Sequence, residues 1–197
     1  MTAEERREQL LDVTKALVSA HGFHAVSIEA VAREAGVSRP IVYGHFRDLP
    51  RLLDALVERE ARRALMELAP SVVVDLSEGD PLELLLSSLR GYLEAARSDP
   101  DTWRLVLMPP EGAPEGLRKR IAEGRAAVLE QLTQSVRGGF GPGGQPPDPE
   151  LAAHALSAVA DEATRLMLTD PERYPVERIL AFARWALERL TRTASPS

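Results

Sequence analysis

The chain has 197 residues, 44% of them hydrophobic, a net charge of −6 and no cysteine. This is enough apolar material to core one large domain or two small ones, and it excludes a disulfide framework and a thiolate metal site. No apolar run reaches the length that spans a bilayer, and the charged start MTAEERREQ lacks an apolar signal core, so a cytoplasmic protein is expected.

Residues 4–21 predict a first helix, with Leu10, Leu11, Thr14, Leu17, Val18 and His21 in one stripe at helical spacing. Gly22 stops it, Phe23 is expected in the core, and His24 on an exposed loop. Residues 27–46, SIEAVAREAGVSRPIVYGHF, predict two short helices joined by a tight turn. Ser27 is an N-cap, and Ile28, Val31, Ala32 and Ala35 follow at i, i+3, i+4 and i+7. Gly36 stands where the chain must leave the helix with positive φ, and Val37 plugs the space between the helices. Ser38 is expected to cap the second helix, with Pro40 in its first turn. That helix is too short to survive alone and must be held from behind, with Val42 facing inward. Its front, bearing Arg39, Tyr43 and His45, is then left for a partner. The pattern fits a helix-turn-helix whose second helix enters a DNA major groove, and it also fits an ordinary helical hairpin.

Charge distribution separates this head from the rest. Residues 1–51 carry seven basic and seven acidic residues, and the remainder 17 and 23, so all the excess acid lies outside the head. A neutral head predicts weak non-specific DNA binding and a shallow salt slope.

A long amphipathic helix is expected after Asp48 and Pro50, with Leu52, Leu53, Leu56, Val57, Ala64, Leu65 and Leu68 on one face and an end at Pro70. Further helices are predicted over about 81–97, through 103–108, and over 114–137, 149–169 and 175–193, with breaks at the prolines and glycines between them. Residues 138–149 hold five glycines and four prolines and predict a loop, with Phe140 as its tack. The last helix is expected to bury Val176, Ile179, Leu180, Ala183, Leu187 and Leu190. No strand and no repeat is predicted, and the fold class is all-α with about nine helices.

GVSRPIVYGHF resembles the signature of the TetR family of transcriptional regulators: Gly-Val-Ser, a variable triplet, an aliphatic residue, Tyr, a variable residue, His or Tyr, then Phe. The preceding SIEAVAREA is similar to that family's first helix-turn-helix helix, and the detailed resemblance covers about residues 8–57. It implies an N-terminal three-helix helix-turn-helix DNA-binding domain (1–48) followed by a helical ligand-binding and dimerisation domain (49–197). It also implies a long fourth helix as connector, and a homodimer in which each subunit gives its last two helices to a four-helix bundle. Completion of a monomeric core is the other reading of those two helices.

The expected DNA contacts sort by chemistry. Ser27 and Tyr43 suit phosphate oxygens, and His45 matches the family's phosphate-contacting position. Arg39 has the fork for guanine O6 and N7, and Pro40 and Ile41 suit a thymine methyl. Glu29 suits a cytosine amino group or an exposed salt bridge with Arg33. Ser38, Gly44 and Arg47 complete the candidate set. Two departures from the family pattern stand out: Gly44 replaces an aromatic or Arg, and Leu49 replaces a phosphate-contacting Lys, for which Arg47 or Arg51 are the candidate substitutes.

An effector pocket is expected between helices of the larger domain. Leu86, Leu89, Trp103, Leu107, Met108, Val128 and Leu132 are its candidate lining, though such residues are more often plain core. His154, Ala158, Asp161, Arg165 and Leu168 share a stripe that suits orienting a ligand, pairing across a dimer, or an exposed Asp161–Arg165 ion pair. The four histidines form no HExxH pattern, there is no phosphate loop and no activated nucleophile, so no catalysis, metal or cofactor is expected. The expected function is a ligand-responsive repressor binding a palindromic operator as a homodimer and released by a small apolar or amphipathic effector. The alternative is a helical interaction module with a degenerate head.

Overall fold

The computed structural model describes residues 1–72, 76–110, 112–139 and 146–193. Among them are nine α-helices and no strand: α1 (Ala3–His21), α2 (Ile28–Glu34), α3 (Arg39–His45), α4 (Leu49–Leu68), α5 (Pro81–Ser98), α6 (Pro100–Leu107), α7 (Glu115–Gly139), α8 (Pro149–Thr169) and α9 (Val176–Thr193). The roles expected for Phe140 and for the Leu190 side chain lie outside the described residues. No described helix is long and apolar enough to cross a membrane.

Helix starts follow from side chains that accept the first-turn N–H groups. Thr2 and Glu5 form a reciprocal capping box on α1, at 3.1 and 2.7 Å. Asp48, Asp80 and Asp148 each accept at 2.9 Å from a backbone N–H, of Arg51, Leu82 and Leu151 respectively.

The chain divides into two compact units. The first comprises Met1–Ala64 and Asp101–Glu123, the second Leu65–Pro100 and Gly124–Ser197. Helix α4 supplies Leu52, Leu56 and Val57 to the same core as α1–α3. Leu105 of α6 and Leu117 of α7 complete that core with Leu10, Leu11, Phe23, Ile28, Val31, Val42 and Phe46. In the second unit α5 packs on α8 and α9, with Leu86, Leu93, Met167 and Leu180 buried. Arg90 and Arg184 bind Glu177 and Glu83 through paired hydrogen bonds, which tie α5 to α9.

Several local expectations are corrected. His21, placed on the apolar stripe, is exposed because it is the last residue of α1, and Leu65 is exposed because it points away from the face of α4 that buries Leu56, Glu60 and Ala64. Helix α7 runs through Gly139, two residues into the stretch read as loop. Among the described side chains of α9 only Leu180 is buried, while Val176, Ile179, Ala183 and Leu187 are half-buried.

Candidate nucleic-acid interface

The turn between α2 and α3 is built by a few backbone bonds. Ala35 closes α2 in helical conformation, Gly36 reverses the chain at φ +66°, and the Val37 N–H donates to the Ala32 carbonyl at 2.9 Å. A Cβ on Gly36 would meet nothing within 4 Å, so φ alone requires glycine here. Val42 and Phe46 are buried and hold α3 from behind. The Arg7 guanidinium lies 5.1 Å over the Phe46 ring, which fixes α3 to α1 as well.

With Val42 facing inward, the front of α3 is free. Ser38, Arg39, Pro40, Ile41, Tyr43 and Gly44 are exposed, as is Arg47 just beyond the helix, and His45 is half-buried. Tyr43 is 50% exposed, unusual for a ring on a helix packed on its other side. Ser27 accepts from the Ala30 N–H at 3.1 Å, and its own O–H stays a donor. Ser38 does not cap α3 through its side chain. The reason is local: Pro40 at the second helical position has no N–H, and the Ile41 N–H is taken by the Ser38 carbonyl at 3.0 Å.

Glu29 pairs with Arg39, not with Arg33 one turn along its own helix. The Arg39 guanidinium NH1 donates to Glu29 Oε1 at 2.8 Å across the turn. A backbone N–H and then the Arg39 guanidinium hold the Glu29 carboxyl below the usual carboxylate range. The two side chains border a shallow groove between α2 and α3 that Ala32, Arg33, Val37, Ser38 and Pro40 also line. Leu49 is half-buried against the head's core, which accounts for an apolar residue at the start of α4.

Trp103, Leu107 and Met108 belong to the first unit; Leu86, Leu89, Val128, Leu132, His154, Asp161 and Arg165 belong to the second. His154 is exposed. The exposed Asp161–Arg165 pair is not formed: Asp161 is buried, accepts from the Tyr92 hydroxyl at 2.8 Å and is bound by Arg125, while Arg165 pairs with Glu162 at 3.3 Å. Burial pushes the Tyr92 phenol up to about 12, against the opposing pull of Thr164, Arg125 and Arg165. Among the described residues no three His, Asp or Glu side chains gather as a metal ion would need.

The family model for bacterial regulatory proteins of the tetR family matches residues 10–56, the stretch from α1 into α4 that carries this geometry. Over that stretch the chain carries the helix-turn-helix head of the TetR family of transcriptional regulators. The HTH-type transcriptional regulator BetI of Yersinia pestis is 38% identical over 89 residues, or 45% of this chain and 44% of BetI. An HTH-type transcriptional regulator of Mycobacterium tuberculosis is 27% identical over 173 residues, covering 85% of this chain and 69% of that protein. Among solved structures, a TetR-like transcriptional regulator from Rhodococcus superposes with a TM-score of 0.72 at 23% identity, over 91% of each chain. The transcriptional regulator FadR of Bacillus subtilis, solved in complex with stearoyl-CoA, gives 0.66 at 18% identity over 93% of this chain and 97% of FadR. These two likenesses are of fold.

Proposed function

We propose that this chain is a ligand-responsive repressor of the TetR family that binds a palindromic operator as a homodimer in the cytoplasm, with residues 1–48 as reading head and 49–197 for effector binding and dimerisation. The observation that carries the reading is α3 itself: a seven-residue helix anchored by buried Val42 and Phe46, with Arg39, Pro40, Ile41 and Tyr43 turned to solvent. Arg39 serves a guanine edge, Pro40 and Ile41 a thymine methyl, and Ser27, Tyr43 and His45 phosphate oxygens. A single head without excess positive charge binds weakly, so two heads on half-sites about 34 Å apart, or a multiple of it, are needed for tight binding.

The partner is a second copy. Phe182 and Trp185 on α9 are 66% and 52% exposed with ring centroids 5.7 Å apart, and Leu151 and Val159 on α8 are exposed as well. Large apolar side chains gathered on one pair of helices mark an interaction surface. The effector is a small apolar or amphipathic molecule, a reading supported by the acyl-CoA in the FadR complex. It releases DNA by preferring the subunit arrangement whose reading helices no longer match adjacent grooves.

Selection of bound sequences from a random duplex pool tests this. A palindromic consensus, lost in the Arg39→Ala/Tyr43→Ala double variant, is the expected result. No enrichment from a folded dimer refolded free of ligand would leave the helical interaction module as the reading.

A further inference from the structure

We infer that Glu29 positions Arg39 for guanine, so that the two side chains read one G·C base pair per half-site as a unit. The inference rests on the reading of α3 as the DNA-facing helix. Glu29 is the second residue of α2 and Arg39 the first of α3, and they meet at 2.8 Å across the turn. The backbone between them is fixed by Gly36, by the bond from Val37 to Ala32 and by the buried Val42. The Arg39 side chain, left alone, would sample many rotamers; the Glu29 carboxylate restrains it before DNA arrives.

The donor inventory permits both bonds at once. A guanidinium has five N–H donors in a planar fork, and one nitrogen, NH1, is engaged by Glu29. Enough of the fork remains for O6 and N7 of guanine while Glu29 stays attached. Both side chains are more than half exposed, at 62% and 57%; a backbone N–H helps hold the Glu29 carboxylate, and the carboxylate in turn holds the Arg39 guanidinium. Glu29 also carries a cost that argues for a role: an acidic group beside a DNA-facing helix repels phosphate, and pairing with Arg39 cancels that charge where it would matter most.

The inference predicts opposite signs for affinity and specificity. Glu29→Gln removes a negative charge, so binding to random-sequence duplex rises or stays level. The preference for guanine at the Arg39 position falls roughly tenfold, because a neutral amide oxygen holds the fork less firmly than a carboxylate. Arg39→Ala and Arg39→Lys lose the same preference at the same position. In the double variant Glu29→Gln/Arg39→Ala nothing further is lost there.

The experiment is duplex selection followed by titration of the selected operator and its single-base variants, with helical content and melting checked for each protein. Loss of discrimination at one shared position, with non-specific affinity preserved, supports the pairing. Glu29→Gln changing a different position from Arg39→Ala would make Glu29 an independent reader and overturn it, and so would unchanged discrimination in Glu29→Gln. A wild-type dimer that enriches no sequence would instead overturn the reading of α3, and the inference with it.

Discussion

Lys15 of α1 and Glu60 of α4 are both buried, with Lys15 Nζ 3.1 Å from Glu60 Oε2. Thr102 of α6 accepts from Lys15 at 2.7 Å and donates to the same carboxylate, and the Arg59 Nε–H donates to its other oxygen at 2.8 Å. Three helices of the first unit thus share one carboxylate. Removing it strands a buried ammonium, and Glu60→Ala is expected to cost about 3–5 kcal/mol. Replacing both charges at once, Lys15→Met with Glu60→Leu, is expected to recover most of that loss, since a buried pair is often no better than apolar residues of similar volume. Urea denaturation of the two variants checks both statements.

Gly36 and Gly44 respond to alanine in opposite directions. Gly36 holds φ +66°, so alanine there is strained and costs about 1 kcal/mol. Gly44 lies inside α3, shows no positive φ, and offers open space to a Cβ within 4 Å. Gly44→Ala is expected to stabilise the head by about 0.5–1 kcal/mol. Thermal melting reads both; operator affinity of Gly44→Ala then reports whether DNA needs the space that glycine leaves.

Tyr92 makes the second unit sensitive to alkali. Its phenol proton is held to about 12 in the folded chain, above the ordinary tyrosine value of 10.0. The folded state therefore keeps a proton that the unfolded chain gives up, so the contribution is intact below pH 10 and is lost as pH rises through 12. Stability should fall by roughly 2–3 kcal/mol across that window on this account. Tyr92→Phe should remove this part of the slope and cost about 1 kcal/mol at neutral pH, through loss of the bond to Asp161. Denaturation midpoints of both proteins at pH 8 and 11 supply the comparison.

On the proposed dimer, Phe182 and Trp185 of α9 are the natural anchors. Trp185→Ala is expected to weaken association by about 2 kcal/mol or more, the range of an interfacial aromatic anchor. Phe182→Asp/Trp185→Asp should give a folded monomer in sedimentation equilibrium, with operator affinity falling accordingly. A variant that stays dimeric would move the interface away from α9.

The head was legible because its signals are local: Ser27, Gly36 and the spacing of Ile28, Val31 and Ala32 act within a few residues of themselves. Ser38 was misread where two local rules compete, since a cap needs the N–H that Pro40 lacks. Glu60 was not legible at all. An acidic residue on an amphipathic helix looks solvated, and the hydroxyl that binds it stands 42 residues further along. Asp161 fails for the same reason: four-residue spacing points to Arg165, but the Tyr92 hydroxyl from 69 residues away takes one oxygen, and Arg125 the other. Local pairing rules lose to tertiary partners wherever burial makes a charged group's alternatives costly.

The first unit is assembled from two stretches of chain, Met1–Ala64 and Asp101–Glu123. A recombinant head ending near residue 48 would leave behind Leu52, Leu56, Leu105 and Leu117, part of the same core as Val42 and Phe46. Grafting this specificity onto another regulator therefore means transplanting both stretches together, or redesigning the apolar face that the second one covers. The covalent path crosses from one unit to the other at three points, so a hinge engineered at any single junction would leave two others intact.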